Sequence, residues 1–422
     1  MKSIIKTDVD EFNSQQENLY FQQFGIRFDI QNIGKNDRLI VKKEKETMVR
    51  IRHGLVLKTH VFNLDDGSFS NVYDLCWNPE ESSIVPTVYS SDKVYYLKDQ
   101  IEKDASIVAV MNGSFFFLTD EADSHPKELP YNLCIRNGNV ISLPITDDPI
   151  LFIKNNKLHG SIPSATGTMK IGDKILRWIG ERSKLRSSQT KDAILFNSRS
   201  SEIIKVRDKN TGLQIGILDN TCITTPRGSD VFDLVIRADK NCQLYVHEIN
   251  RGGGTHYFAG LFILQIKGTM CIYRVGEKVQ PLTLDKFDIS EFSEALTVGK
   301  NVHDPFFREA VRAGRKDTRS LVAKDVNNNF HFVIFDGSKY IPGFKGVSAD
   351  DIAAYFSPDK FQWAYFLDGG GSSRIIVRHN NELNYVANRF VVTKMQNGKF
   401  LWDWQKARPL ASSIVLRLKS SD

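Results

Sequence analysis

The segment Ala364-Tyr365-Phe366-Leu367-Asp368-Gly369-Gly370-Gly371-Ser372-Ser373 puts one carboxylate at the end of an apolar run and follows it with three glycines and two hydroxyls. A carboxylate held at a strand end can act as a nucleophile or a general base. Gly369, Gly370 and Gly371 would weaken an ordinary element, because glycine loses more backbone freedom on folding than any other residue. They suit a place where the chain takes left-handed angles or comes close to a ligand, and their N–H groups can form an anion-binding nest. Ser372 and Ser373 add two donors. A glycine-rich turn with a capping aspartate is the competing interpretation.

Two further segments carry related chemistry. In Val110-Met111-Asn112-Gly113-Ser114-Phe115-Phe116-Phe117, Asn112 offers one acceptor and two donors to a ligand, and Gly113 lets the backbone pass close by. A type I′ turn at Asn-Gly is equally compatible with that stretch. Arg319 and Arg408 each stand just before a strand-like run, and a guanidinium can fork onto two phosphate oxygens. Asn197 and Arg199 repeat the same logic with less force. The cluster Arg308, Arg312, Arg315, Lys316 and Arg319 either steers an anion or is a solvated helix face.

The elements that must hold these residues are mostly strands. Ile107–Met111 is a continuous apolar run, as expected of a strand buried on both faces. Residues 24–62 alternate apolar and polar types, and strand-like runs recur at 193–196, 231–236, 242–249, 258–266, 330–335, 362–367 and 412–418. Asn137-Gly138, Asp336-Gly337 and Asn397-Gly398 read as hairpin turns. Helices are fewer. Ser91 is expected to cap one running through Val94, Leu97 and Ile101. Ser348 is expected to cap another that carries Asp350 and Asp351 in its first turn and buries Ile352, Ala353 and Phe356. A third is expected over 304–313. The run Arg251-Gly252-Gly253-Gly254-Thr255-His256 fits no nucleotide-binding fingerprint and reads as a mobile loop at a pocket rim. The class implied is α+β: strand-rich mixed sheets with a few packed helices in one large domain.

Composition excludes several functions. The 41% apolar and 25% charged content is ordinary for a globular chain of 422 residues. A net charge of +6 from 56 basic and 50 acidic residues is too slight for a nucleic-acid binder, and no nucleic-acid module is present. No stretch approaches the ~18 apolar residues of a membrane span. Cys76, Cys134, Cys222, Cys242 and Cys271 are scattered and odd in number, which fits buried free thiols in a reducing compartment. The chain as given therefore reads as cytoplasmic, or as secreted if a signal peptide has been removed. Glu17–Gln22 reads as a viral protease site used to remove tags, so residues 1–22 are set apart as vector-derived within an N-terminal extension, 1–47.

Taken together, the segments resemble the phosphodiester glycosidases. The family's strand ending in Asn-Gly-Gly-Phe-Phe is matched by Asn112, Gly113, Phe115 and Phe116, with Ser114 at the second glycine. Its Asn-x-Arg element is similar to Asn197 and Arg199. Its Arg-Ser/Thr-x-Val strand is similar to Arg319–Val322, with Ala323 where glycine is frequent, and its Gly-Val-Ser helix start is matched by Gly346–Ser348. Leu-Asp-Gly-Gly-Gly-Ser-Ser matches throughout Leu367–Ser373, and the closing Arg-Pro-x-x-Ser strand is similar to Arg408–Ser413. The resemblance spans roughly residues 50–418 and implies a catalytic domain over 48–422.

The resemblance implies hydrolysis of the glycosidic bond in a small or polymeric sugar-1-phosphodiester. Asp368 would be nucleophile or base, and Arg319 and Arg408 would hold the phosphate. The Gly369–Gly371 amides, Ser372 and Ser373 would assist, and Asn112 would bind a sugar hydroxyl or the phosphate. Gly113, Asn197 and Arg199 would line the substrate site. No cofactor is required by that chemistry, although the hard oxygens of Asp368 and Asn112 suit Ca²⁺ or Mg²⁺. A non-catalytic carbohydrate-binding protein and a metal-dependent phosphodiesterase are the alternatives. Sugar, aglycone and oligomeric state are left open.

Overall fold

In the computed structural model the described residues are 26–33, 36–43, 46–114, 116–118, 128–130, 132–185, 193–197, 200, 205–207, 214–217, 224–257, 259–305, 307, 316–337, 344–386, 392–396, 399–402 and 410–419. Contacts divide the chain into two compact units, a finer division than the one large domain expected. The first comprises residues 1–86, 95–112 and 299–422, and the second 87–94 and 113–298. The chain changes unit directly at the end of one strand, between Asn112 and Gly113, and again between Val298 and Gly299. No Pro-, Gly- or Ser-rich linker is needed there, so none marks the joints.

After the antiparallel pair Ile26–Ile33 and Asn36–Lys43, the first unit continues with strands β1 (Thr47–Arg52), β2 (Leu55–Asn63) and β3 (Phe69–Trp77). Helix α1 (Leu97–Lys103) leads into β4 (Ile107–Asn112), every residue of which is buried. After residue 299 come β5 (Arg319–Asp325), β6 (Phe330–Asp336), helix α2 (Ala349–Tyr355) and β7 (Phe361–Phe366). Strands β8 (Ile375–His379), β9 (Glu382–Val386) and β10 (Leu410–Leu418) complete it. Among the described residues one sheet has the order β7-β5-β6-β3-β2-β1, with antiparallel neighbours. A second contains β9-β8-β4-β10, also antiparallel.

Alternation explains which face is covered. Leu321 and Ala323 of β5, Val333 and Phe335 of β6, and Ala364 and Phe366 of β7 turn to one side and pack on Ile352 and Phe356. Burying each of those two side chains stabilises by roughly 1.5–3 kcal/mol. Helix α2 starts as expected at Ser348, whose hydroxyl accepts from Asp351 N–H while the Asp351 carboxylate accepts from Ser348 N–H. The other helix differs. Ile84–Tyr95 is a strand, and α1 begins only at Leu97 with no side-chain cap, so position 91 lies within a strand and not at a helix start. The apolar Val94-Tyr95 end extends the strand in place of opening a helix. The helix expected over 304–313 lies mostly outside the described residues.

Asp336-Gly337 is not a hairpin turn either. Strand β6 pairs with β5 and β3, and Gly337 lies where an added Cβ would come within 1.9 Å of Gly346 N. Glycine is needed there for the approach of two backbones. Asn137-Gly138 is the turn expected, with φ of 50° and 73° joining Cys134–Arg136 to Asn139–Ser142. Asn397-Gly398 lies outside the described residues, although the strands flanking it, Val392–Gln396 and Lys399–Trp402, pair antiparallel.

The second unit contains an eight-stranded and a five-stranded sheet among the described residues. Its apolar cluster includes Ile145, Phe152, Trp178, Leu234, Phe262 and Phe292. Strand Lys174–Gly180 runs parallel to Ala193–Phe196 and antiparallel to its other neighbour, Thr166–Ile171, so the sheet is mixed. The protein is thus mostly β, with α2 and α1 its described α-helices, and α+β is only an approximate label. The triple-glycine loop after Arg251 is tied down, contrary to expectation. Gly252 N–H donates to Val231 O, Thr255 N–H donates to Thr225 Oγ1, and the buried Asp233 carboxylate accepts from Thr225 and Gln265. Of the thiols expected to be buried, Cys134 is, whereas Cys76, Cys242 and Cys271 are half-buried and Cys222 lies outside the described residues. No described helix is long and apolar enough to cross a membrane.

A charged brace crosses the middle of the first sheet. His331 Nδ1 lies 3.0 Å from the Asp74 carboxylate, and Nε2 lies 3.3 Å from Asp325 Oδ2, which links β6 to β3 and β5. Burial works against the imidazolium, but the Asp74 charge and hydrogen bond outweigh it and push His331 from 6.5 up to about 11. A raised pKa stabilises fully below the unfolded value, and that stabilisation is lost as pH rises through the folded one. His331→Gln is therefore expected to cost roughly 3–5 kcal/mol near neutrality. The cost should shrink between pH 6.5 and about 11, as read from urea midpoints at each pH.

Candidate active site

The site forms where β4 ends and where the chain leaves β7. Strands β5 and β7 pair with Leu321 opposite Phe366, and the pairing continues past the strand: Leu367 N–H donates to Ser320 O at 2.9 Å and Gly370 N–H to Thr318 O at 2.9 Å. That continuation carries Arg319 alongside the glycine loop. A Cβ on Gly369 would stand 3.9 Å from Arg319 Cδ and 3.2 Å from Thr318 O, so the loop passes directly over the arginine stem. Asp368 and Arg319 are both half-buried.

Asn112 fastens the other side of the loop. The last residue of β4, it pairs with Ser413 of β10 and is wholly buried. Its Nδ2 donates to the main-chain oxygen of Asp368 at 2.6 Å. Its Oδ1 accepts from Ser320 Oγ at 3.2 Å and from Arg374 N–H at 3.0 Å. Asn112 N–H in turn donates to Arg374 O at 3.2 Å. One side chain thereby holds both ends of the Asp368–Arg374 loop and the start of β5. Its place inside the ladder rules out the type I′ turn at Asn112-Gly113. Tyr95 OH donates to Ser413 Oγ, which donates to Gln100 Oε1, and so the strand beside Asn112 is also braced.

Between those anchors, residues 370–372 make a single tight turn with Gly370 at φ 58°, an angle glycine takes without strain. Ser372 and Ser373 N–H groups donate back to Gly369 and Gly370 oxygens. Both serine hydroxyls are buried, and neither has a hydrogen-bond partner among the described residues. Buried hydroxyls of this kind are rare unless a ligand or water satisfies them. Asp368, Arg319 and the two hydroxyls bring a carboxylate, a cation and two neutral donors to one short stretch of the fold.

Several expectations change in detail. Asn112 has no open face for a sugar or phosphate, and its oxygen is already taken, so it makes a poor ligand for a hard cation. Gly370 N–H is spent on Thr318 O and cannot join an anion nest. Lys316 of the basic cluster is engaged by Asp66 at 2.6 Å and by Ser68. The hydrogen bond from Lys316, and then that from Ser68, holds the Asp66 carboxyl below the usual range. Arg308, Arg312, Arg315, Arg408 and Arg199 lie outside the described residues. Asn197 sits in the second unit, where its Nδ2 donates to Leu143 O at 2.8 Å, and Gly113 is buried next to Asn112. Among the described residues no group of three or more His, Cys, Asp or Glu is set to hold a metal. Ser320 and Arg374 were not singled out in the sequence. Each is adjacent to a motif residue, but their parts depend on which backbone atoms face Asn112.

Comparison with known proteins agrees with the motifs. Residues 266–416 match the phosphodiester glycosidase family. The resemblance holds over that segment, which contains Arg319, Asp368–Ser373 and Arg408 and is less than half of the chain. A hypothetical protein from Synechocystis shares the fold with a TM-score of 0.53 at 13% identity, covering 93% of this chain and 68% of that one. The zebrafish N-acetylglucosamine-1-phosphodiester alpha-N-acetylglucosaminidase catalytic domain, auto-inhibited by its pro-peptide, aligns with a TM-score of 0.36 at 9% identity, over 88% of this chain and 83% of that one. No curated protein matches by sequence.

If Asn112 is the clamp, Asn112→Ala should strand the Arg374 N–H and the Ser320 hydroxyl in a dry site. Two buried groups losing a partner predict a loss of about 2–4 kcal/mol. Chemical denaturation followed by fluorescence measures it, and a loss below about 1 kcal/mol would remove the clamp from the account.

Proposed function

We propose that this protein hydrolyses the bond between the anomeric carbon of a sugar and a phosphodiester oxygen, releasing free sugar and a phosphomonoester. The observation that carries the proposal is the passage of Gly369, the residue after Asp368, over the Arg319 stem, in a loop whose Ser372 and Ser373 hydroxyls are buried without a partner among the described residues. The family match over residues 266–416 supports the same reaction class.

The chemistry follows from the leaving group. An ordinary glycoside expels an alkoxide, which needs a second carboxyl group to protonate it. A phosphomonoester is already a weak base and needs its charge neutralised more than it needs a proton. One carboxylate with guanidinium groups meets that demand. In this proposal Asp368 either attacks the anomeric carbon, giving a glycosyl ester that water then hydrolyses to free sugar, or takes the proton from a water that attacks that carbon directly. The C–O bond breaks with its electron pair leaving on the phosphate oxygen, and Arg319, joined by Arg408, stabilises the charge that develops there. Ser372 and Ser373 donate to the remaining phosphate or sugar oxygens.

Asn112 grips Asp368 through its main-chain oxygen, so changing the side chain leaves that hold in place. Asp368→Asn is expected to keep its unfolding midpoint and lose about a thousandfold in turnover on a chromogenic sugar-1-phosphodiester. Arg319→Ala should lose about a hundredfold or more in kcat/KM, with Arg319→Lys recovering little. Near-wild-type turnover by a folded Asp368→Asn protein would end the assignment.

A further inference from the structure

Among the described residues of the second unit, three of the four large apolar side chains more than half exposed belong to one loop, the fourth being Ile175 of the strand Lys174–Gly180. Met270, Ile272 and Val275 are 77%, 52% and 63% exposed, although they lie within six consecutive residues. The loop is not loose. Cys271 and Tyr273, which alternate with Met270 and Ile272, pack into the unit's apolar core. Lys174 Nζ donates to Ile272 O at 3.2 Å and stands 5.6 Å from the centre of the Tyr273 ring. Glu277 accepts from Arg274 N–H at 3.1 Å, and Gly276 N–H donates to Val246 O. Alternation turns one set of side chains inward as an anchor and leaves the other set standing in solvent.

Cations surround the base of this apolar tip. Lys267, Arg274 and Lys278 are exposed along residues 267–278, against Glu277, which is already paired with Lys174. Asp173 and Asp230 sit in the adjoining turns, which bond to the two ends of the loop through Gly172 N–H and Asp230 O, and a small cation excess remains. Three side chains on a projecting turn are far smaller than the ~800 Å² that a stable protein partner covers on each side. They match the interface of an anionic bilayer, where apolar side chains enter the acyl boundary and Lys or Arg meet headgroup phosphates.

We propose that Gly268–Glu277 is a membrane-docking loop that seats Met270, Ile272 and Val275 in the surface of an anionic bilayer. It requires nothing of the chemistry at Asp368, and its failure would leave that chemistry intact. The full chain should co-sediment with vesicles made of equal parts phosphatidylcholine and phosphatidylglycerol. Binding should be much weaker to phosphatidylcholine alone and should fall as salt is raised. Met270→Ser and Val275→Ser should each weaken binding roughly tenfold. Because both positions are exposed, unfolding midpoints should be unchanged. Met270→Trp gives a second readout: its emission should shift to the blue on adding the mixed vesicles. Absence of co-sedimentation, equal binding by the serine variants, or no shift at the tryptophan overturns the proposal. So does self-association that the serine variants abolish without any vesicle binding, since the loop would then serve a second copy of the chain.

Discussion

A single buried amide decides where the candidate catalytic acid sits. Asp368 is followed by three glycines, which have no side chains with which to pack the loop in place. Position must come from outside, and the Asn112 amide supplies it: one donor to the oxygen of Asp368 and one acceptor shared by Ser320 and Arg374. In water such bonds contribute only about 0.5–1.5 kcal/mol each, but a dry site makes leaving them unpaired far more costly than forming them is favourable. The amide therefore fixes geometry more than it adds stability. The two larger sheets of the first unit are joined at this residue, since Asn112 ends a strand of one and bonds to Ser320, the second residue of a strand of the other.

The rest of the site follows from that hold. Because Leu367 and Gly370 extend the β5–β7 pairing beyond β7, Arg319 has to lie under the loop. The distant His331 brace keeps β3, β5 and β6 in register at the other end of the same strand, so Arg319 is delivered by a rigid element. Among the described residues, the Ser372 and Ser373 hydroxyls in the loop are buried without a partner, and both are neutral and small. A cation, a carboxylate and neutral donors suit a leaving group that already carries charge. A site for an alkoxide leaving group would require a second acid, poised to give up a proton.

Much of this was legible in the sequence where a residue type has one main use. The wholly apolar Ile107–Met111 run, the Asn137-Gly138 turn, the Ser348 cap and the strand leading to Asp368 all appear as read. The misreadings share a cause: the deciding contact is remote in sequence. Gly337 looks like a turn residue until Gly346 is seen against its backbone. The run after Arg251 looks loose until Val231 is seen to bind Gly252 and Thr225 to bind Thr255. Ser91 has cap chemistry, but the chain around it joins a strand. Asn112 was marked for its capacity to bind a ligand, and that same capacity is turned inward on the loop. Ser320 and Arg374 act through a hydroxyl and a backbone N–H whose direction no local pattern reveals.

The central claim is that the acid held by Asn112 works at carbon and that the phosphorus is left untouched. Hydrolysis of a sugar-1-phosphodiester in ¹⁸O-enriched water, followed by mass analysis of both products, tests it most directly. The account predicts the heavy oxygen in the released sugar and none in the phosphomonoester. Label appearing in the phosphate would mean that the P–O bond is broken, and the chemistry assigned to Asp368 and Arg319 would be wrong.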